Sequence, residues 1–252
     1  METMTPGDEL KVIIALHDAG ADLGEPIEVT RTADRILVNG TGLGPERKKQ
    51  IQAALEPLPN VELHLSTPET AAPRRAESNR QVVSGATPFE EQLRERLGGS
   101  EAFSKFADHV LERSDAMMAR AHALRKLAER FPPEIEAQLS VADRRALTTL
   151  RAEHAQMLSG EVSQIEKSMK PILEELGTPA HRQSASLQRQ WQPATLELWT
   201  SAQSVDRGLG SLLAGSTQAG IPVAQSIAKA LGQLEAETAS YLQLTEAAKA
   251  EH

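Results

Sequence analysis

The hydrophobic period of this chain changes partway along its length. Between residues 8 and 66 the apolar positions follow helical spacing, then alternation, then helical spacing and alternation again, as expected of a helix, two strands, a helix and a third strand. Between residues 88 and 248 only helical spacing remains. A strand buries every second side chain and a helix buries a stripe with a period of about 3.6, so neither pattern serves for the other. The chain is therefore expected to hold two modules: an α+β domain over 8–66 and an all-α domain over 88–248. Residues 67–87 between them are small, polar or proline, and read as a flexible linker. At 252 residues the chain is long enough for each module to have its own core.

Composition narrows the classes of function. Aromatic residues make up 3% of the chain, so the core must come mainly from Leu, Ala, Val and Ile, as in helix bundles. The formal charge of −8 repels phosphate backbones, and the basic patches Arg47-Lys48-Lys49 and Arg74-Arg75 are short, so no nucleic-acid partner is expected. The absence of Cys excludes disulfides, thiolate zinc sites and Cys nucleophiles, and leaves the redox compartment open. No run of about 18 apolar residues occurs, and Met1–Gly7 lacks a basic segment followed by an apolar one, so neither a membrane span nor a secretory signal is expected. The chain as given reads as soluble.

In the first module, Leu10, Val12, Ile13 and Leu16 define a helix that Gly20, Gly24 and Pro26 end. Ile27 and Val29 alternate with polar residues, Ala33-Asp34 turns the chain, and Ile36-Leu37-Val38 runs back to Asn39-Gly40, as in a hairpin. Pro45 starts a helix carrying Ile51, Ala54, Leu55 and Leu58, and Val61, Leu63 and Leu65 alternate in a closing strand. This order resembles the BON domain, a small module of bacterial cell envelopes. The resemblance rests on the Asp8 to Leu16 helix, the strand ending Leu37-Val38-Asn39-Gly40, the Arg47 to Leu55 helix and the strand Asn60-Val61-Glu62-Leu63. It covers about a quarter of the chain and departs from the family at Asn60, where a Gly commonly precedes the last strand. A BON-like domain beside a long helical segment is also similar to the extracytoplasmic part of bacterial membrane-anchored regulators of the anti-sigma-factor type. The resemblance implies a periplasmic or cell-envelope location, with membrane contact only through a segment absent from this chain, and Met1–Pro6 extraneous to the natural protein.

The second module is expected to be an antiparallel bundle of long helices. Phe103, Ala107, Val110, Ser114, Met117, Ala121, Leu124, Ala128 and Phe131 follow alternating steps of four and three, closed by Pro132-Pro133. Ser140 and Asp143 resemble a capping box for a second helix carrying Leu147, Leu150, Leu158, Val162, Ile165 and Met169, in which Pro171 is a candidate kink. A third helix carries Leu187, Trp191, Leu198, Ala202, Val205, Leu209 and Leu212 with a kink expected at Pro193, and a fourth carries Ile227, Leu231, Leu234, Tyr241 and Leu244.

No motif assembles a reactive set, so no catalytic residue, cofactor or metal site is expected. Asn39-Gly40-Thr41-Gly42-Leu43-Gly44 lies between a strand and a helix, but its spacing suits a turn better than a phosphate loop. Ser226-Ile227-Ala228-Lys229 matches the Ser-x-x-Lys pattern of penicillin-recognising enzymes without that group's other motifs. Glu134 and Glu136, two apart, point in different directions on a helix. His17, His64, His109, His122, His154 and His181 never occur four apart, so a metal would need them gathered by tertiary folding, while His154 falls on the apolar stripe of its helix. What remains is a surface for association or for a ligand: Phe103, Val110 and Met117 on the long seam, and Trp191 and Trp199, eight apart on the third helix. The function expected is non-enzymatic interaction or sensing, with a protein partner or a second copy docking through the helices. The alternative is a helical sensor that holds a small molecule near the two Trp residues.

Overall fold

A computed structural model of the protein describes residues 3–67, 88–178, 190–213 and 220–250. The fold is mostly helical with one small sheet, in the order α1 (Pro6–Asp18), β1 (Ile27–Arg31), β2 (Ile36–Gly40), α2 (Pro45–Leu55), β3 (Val61–Leu65), α3 (Pro88–Arg96), α4 (Ser100–Arg130), α5 (Pro133–Glu136), α6 (Val141–Glu175), α7 (Trp191–Leu213) and α8 (Ile221–Ala250). The chain gathers into two compact units, one of Met1–Asn79 with Arg130–Leu150, the other of Arg80–Glu129 with Arg151–Glu251. The sheet's unit therefore reaches beyond the expected 8–66: it takes in the turn between the two longest helices. The expected linker, Thr67 apart, and Leu187 and His181 lie outside the described residues.

In the first unit β1 and β2 pair antiparallel and β2 and β3 pair parallel, with α2 as the crossover that parallel neighbours require. The register sets Val29 beside Val38 beside Leu63, Ile27 beside Gly40 beside Leu65, and Arg31 beside Ile36 beside Val61, so one face of the sheet is apolar except at Arg31, which turns to Glu9. Against that face pack Val12 and Leu16 of α1 and Ile51 and Leu55 of α2, with Val61, Leu63 and Leu65 partly buried at its side. Gly40 has a specific reason to lack a side chain, because a Cβ there would lie 2.8 Å from both Leu43 Cδ1 and Leu65 Cδ2. The first helix begins earlier than its apolar pattern predicts. Thr5 caps it, with its hydroxyl accepting from the Asp8 N–H and the Asp8 carboxylate accepting from the Thr5 N–H at 3.1 Å. Pro6 then takes the first helical position and Met4 is buried, so both pack as part of this unit.

Two side chains tie the 130–150 turn to the sheet. Arg130 donates to Glu9 Oε1 at 2.8 Å and to the carbonyl of Val29 at 2.7 Å, while Arg31 donates to Glu9 Oε2 at 3.0 Å. Glu9 is buried, so each of its oxygens must be matched within the protein. At the start of α6 half of the expected capping box forms: the Asp143 N–H donates to Ser140 Oγ at 3.1 Å, and the Ser140 hydroxyl, rather than its N–H, donates to Asp143 Oδ2 at 2.7 Å. A Cβ on Gly7 would sit 2.6 Å from Asp143 Oδ2, so a side chain there would push the Asp143 carboxylate aside.

In the second unit, Phe103 to Ala128 of the predicted α4 seam are buried without exception, as are Leu158, Val162, Ile165 and Met169 of α6. Arg113 of α4 reaches Glu161 of α6 at 3.2 Å, and Arg96 of α3 pairs with Glu175. The earlier residue in one strand of the chain meets the later in the other, so α6 runs back antiparallel. Helices α7 and α8 are antiparallel by the same logic: Thr195 Oγ1 and the Tyr241 hydroxyl lie 3.4 Å apart, and Gly208 faces Ile227. Ser114 of α4 donates to Asp206 of α7 at 2.8 Å. Two prolines behave differently. Pro171 lies inside α6, which continues to Glu175, whereas Pro193 is the third residue of α7. In that first turn its missing N–H has no helical partner to lose, so Pro193 starts the helix instead of kinking it, because the helix begins at Trp191 and not before it.

These packings give two measurable outcomes. Arg130→Ala leaves a buried Glu9 oxygen unmatched and is expected to cost about 2–3 kcal/mol, the range for hydrogen bonds to charged groups, in chemical denaturation. Along α7, Gly208→Ala is expected to destabilise, because its Cβ would meet Ile227 Cγ1 at 2.6 Å in a filled core, while Gly210→Ala, with nothing within 4 Å, should stabilise by up to ~1 kcal/mol through helix propensity. Equal effects of the two alanines on the melting temperature would refute the close α7–α8 approach.

Candidate functional site

Within the first unit a cleft of about 250 Å³ opens beside the N-terminus of α1. Its floor is apolar, from Val12, Ile36, Leu58 and Val61, and its rim carries Thr5, Asp8 and Lys11. Lys11 Nζ donates to Asp8 Oδ1 at 3.0 Å and the Thr5 hydroxyl to Asp8 Oδ2 at 2.7 Å. Burial alone pushes the Asp8 carboxyl up, but these donors together hold it below the usual carboxylate range, and Lys11 is raised by the same pair. A charged pair that satisfies itself above an apolar floor can seat a small apolar group. It supplies no nucleophile and no free base.

The second unit holds a different arrangement along α7 and α8. Glu237, Thr238, Tyr241 and Thr245 of α8 and Thr195 of α7 are all buried. Glu237 Oε1 accepts from Gln233 Nε2 at 2.6 Å, the Ser201 hydroxyl of α7 is nearby, and Oε2 is buried with no hydrogen-bond partner among the described residues. Burial raises its pKa; the two donors act against that rise, and the nearby Glu197 adds to it. Thr195 and Thr238 return their hydroxyls to the carbonyls one turn back, Trp191 and Leu234, so these polar groups are closed on their own helices. Glu237 is the residue of this seam whose charge is least comfortable. It was not singled out in the sequence, although it stands three residues after Leu234 on the buried stripe of α8, and an acid at such a position is the readable signal.

The residues singled out as a surface are distributed otherwise. Phe103, Val110 and Met117 are 5%, 0% and 0% exposed, so the α4 stripe lies inside the protein and offers no docking face. Trp191 is buried beneath the Arg151 guanidinium, 4.1 Å from its ring centre. Trp199 is half-buried against a different pair, with the His122 ring 5.6 Å away and the Arg125 guanidinium 5.2 Å away. Burial and the Lys126 and Arg125 charges lower the pKa of His122, which favours the neutral ring. The structure thus does not bring the two Trp residues together in one pocket: stacked cations occupy each ring.

The other motifs resolve into structural roles. Ser226 donates to the Pro222 carbonyl at 3.0 Å and both it and Lys229 are exposed, so no activated serine exists there. Gly42 has a φ of 72° and Gly44 caps α2 ahead of Pro45, which makes the glycine run a turn. Glu134 is exposed on the single turn α5. His17 meets Asp22 at 2.7 Å, His64 meets Glu62 at 2.8 Å, His109 is exposed and His154 is buried, as its place on the stripe predicts. No helix among the described residues is long and apolar enough to cross a membrane. No family model, curated protein or solved structure matches the chain.

The seam's acid yields a pH test with a definite sign. Because the folded protein holds Glu237 above its ordinary value, the charged form is disfavoured by folding, and stability should increase as pH falls from neutrality towards ~4.3. Glu237→Gln is expected to raise the melting temperature at pH 7.5 and to make little difference near pH 4. A variant that melts lower at pH 7.5 would show that the carboxylate is stabilised instead.

Proposed function

We propose that this chain is a non-enzymatic interaction or sensing module of the bacterial cell envelope, in which a BON-like α+β fold is followed by an antiparallel helical bundle. The observation that carries the reading is the α-β-β-α-β order with β1 and β2 antiparallel and β2 and β3 parallel. Asn60 adds support. Its φ of 58° lies in the left-handed region that glycine adopts freely and asparagine more readily than other residues, and it stands where the BON family commonly has a glycine. The residue that departs from the family pattern adopts a conformation that glycine would adopt freely.

A bundle extends the pairings of α4 with α6 and of α7 with α8, and the Ser114–Asp206 hydrogen bond links one pair to the other. Under this reading, which rests on the resemblance to anti-sigma-type regulators, the module lies outside the cytoplasmic membrane, tethered through a segment elsewhere in a longer parent protein. The small-molecule reading has less support, since each Trp ring is already covered by a cation. Fusing the natural gene to an alkaline phosphatase reporter tests the location: phosphatase activity in intact cells is expected, and a cytoplasmic reporter would refute it. Thermal shifts across a metabolite panel should stay near zero, whereas a saturable shift would favour the sensor.

A further inference from the structure

We infer that the free edge of β3 binds the same strand of a second copy of this chain, antiparallel and centred on Leu63. In the sheet order β1-β2-β3, β3 has one paired edge and one open edge among the described residues. The Ile36 N–H donates to the Asn60 carbonyl at 2.9 Å and the Ser66 N–H to the Gly40 carbonyl at 2.8 Å. In a parallel ladder this phase turns the backbone groups of Asn60, Glu62, His64 and Ser66 towards β2. The N–H and C=O of Val61, Leu63 and Leu65 therefore point away from the sheet, towards the open edge.

The strand is complementary to itself in this register. Val61 of one copy stands opposite Leu65 of the other, Leu63 opposite Leu63, and Glu62 opposite His64, so apolar groups meet on the face turned to the core and an acid meets a histidine on the other face. The outward groups at 61, 63 and 65 fall at the hydrogen-bonded positions of an antiparallel pair, each exchanging two bonds. Glu62 and His64 are 41% and 56% exposed; Glu62 meets His64 at 2.8 Å through one oxygen and accepts from Arg35 at 2.7 Å through the other, so the second copy's His64 would share a carboxylate that Arg35 already orients. Edges are normally blunted by lysine, proline or a bulge, and β3 has none of these. The other edge strand lacks the complementarity, because pairing β1 with its own copy would set Ile27 against Arg31. The occupant is therefore a second copy on β3.

Static light scattering of the full chain near pH 6.5, from ~1 µM to ~1 mM, tests this, a span that brackets a weak interface. Wild type is expected to rise towards twice the monomer mass. Glu62→Lys sets a cation opposite His64 and should weaken association at least tenfold, and Glu62→Lys/His64→Glu should restore it by exchanging the charges. Leu63→Pro removes an outward N–H without taking a bond from β2, and should also leave a monomer; if its lost packing unfolds the sheet in circular dichroism, the exposed-site variants decide. A wild-type mass that stays monomeric overturns the inference. In that case a Leu63 amide slow to exchange means that the chain's own continuation covers the edge, and a fast one means that the edge stands open. Dimers that survive Glu62→Lys, or a charge exchange that restores nothing, overturn it equally.

Discussion

A buried carboxylate holds the first unit together. Glu9 lies under α1 with one oxygen on Arg31 and the other on Arg130, and Arg130 also caps the Val29 carbonyl on the edge strand β1. An isolated buried carboxylate is strongly unfavourable, so its presence obliges both guanidiniums to stay in place. Arg130 is the last residue of a 31-residue helix, which makes the end of α4 part of the sheet's core. The Gly7–Asp143 approach depends on the same seating, since it brings the start of α6 against α1. The small α+β fold is therefore completed by a turn more than 60 residues beyond its last strand.

The second unit uses simpler physics. Long apolar stripes are buried in full; among the polar groups with them, Thr195 and Thr238 close on carbonyls one turn back, Ser114 on Asp206, and Arg151 stacks on Trp191. Glu237 is the departure, an acid whose burial raises its pKa although two donors oppose the rise. Cations stacked on Trp191 and Trp199 show how large rings on one helix face are accommodated without a cavity between them.

Much of this fold is readable in the chain. Alternation gives β1, β2 and β3, the Ser140–Asp143 spacing gives the start of α6, and the steps of four and three from Phe103 to Phe131 give α4 with every seam position buried. The misreadings have local causes. The first helix starts at Pro6 because Thr5 and Asp8 form a cap that an apolar count ignores, and Pro193 opens α7 because a proline pattern is the same at a first turn and at a kink. The seam also illustrates an ambiguity of stripes: regular spacing says that Phe103, Val110 and Met117 are covered, without saying whether by the same chain or another.

What the sequence by itself determined is the set of elements and the face each one buries, because backbone period and side-chain polarity are local properties of consecutive residues. It also determined that no cysteine chemistry is possible. Tertiary structure alone decided that Arg130 answers Glu9 across 121 positions, that Trp191 and Trp199 take separate cations, and that the outward backbone groups of β3 belong to Val61, Leu63 and Leu65. Each of these depends on which distant surfaces meet and in what register, and a hydrogen bond or ring contact is settled by ångströms that no pattern along the chain encodes.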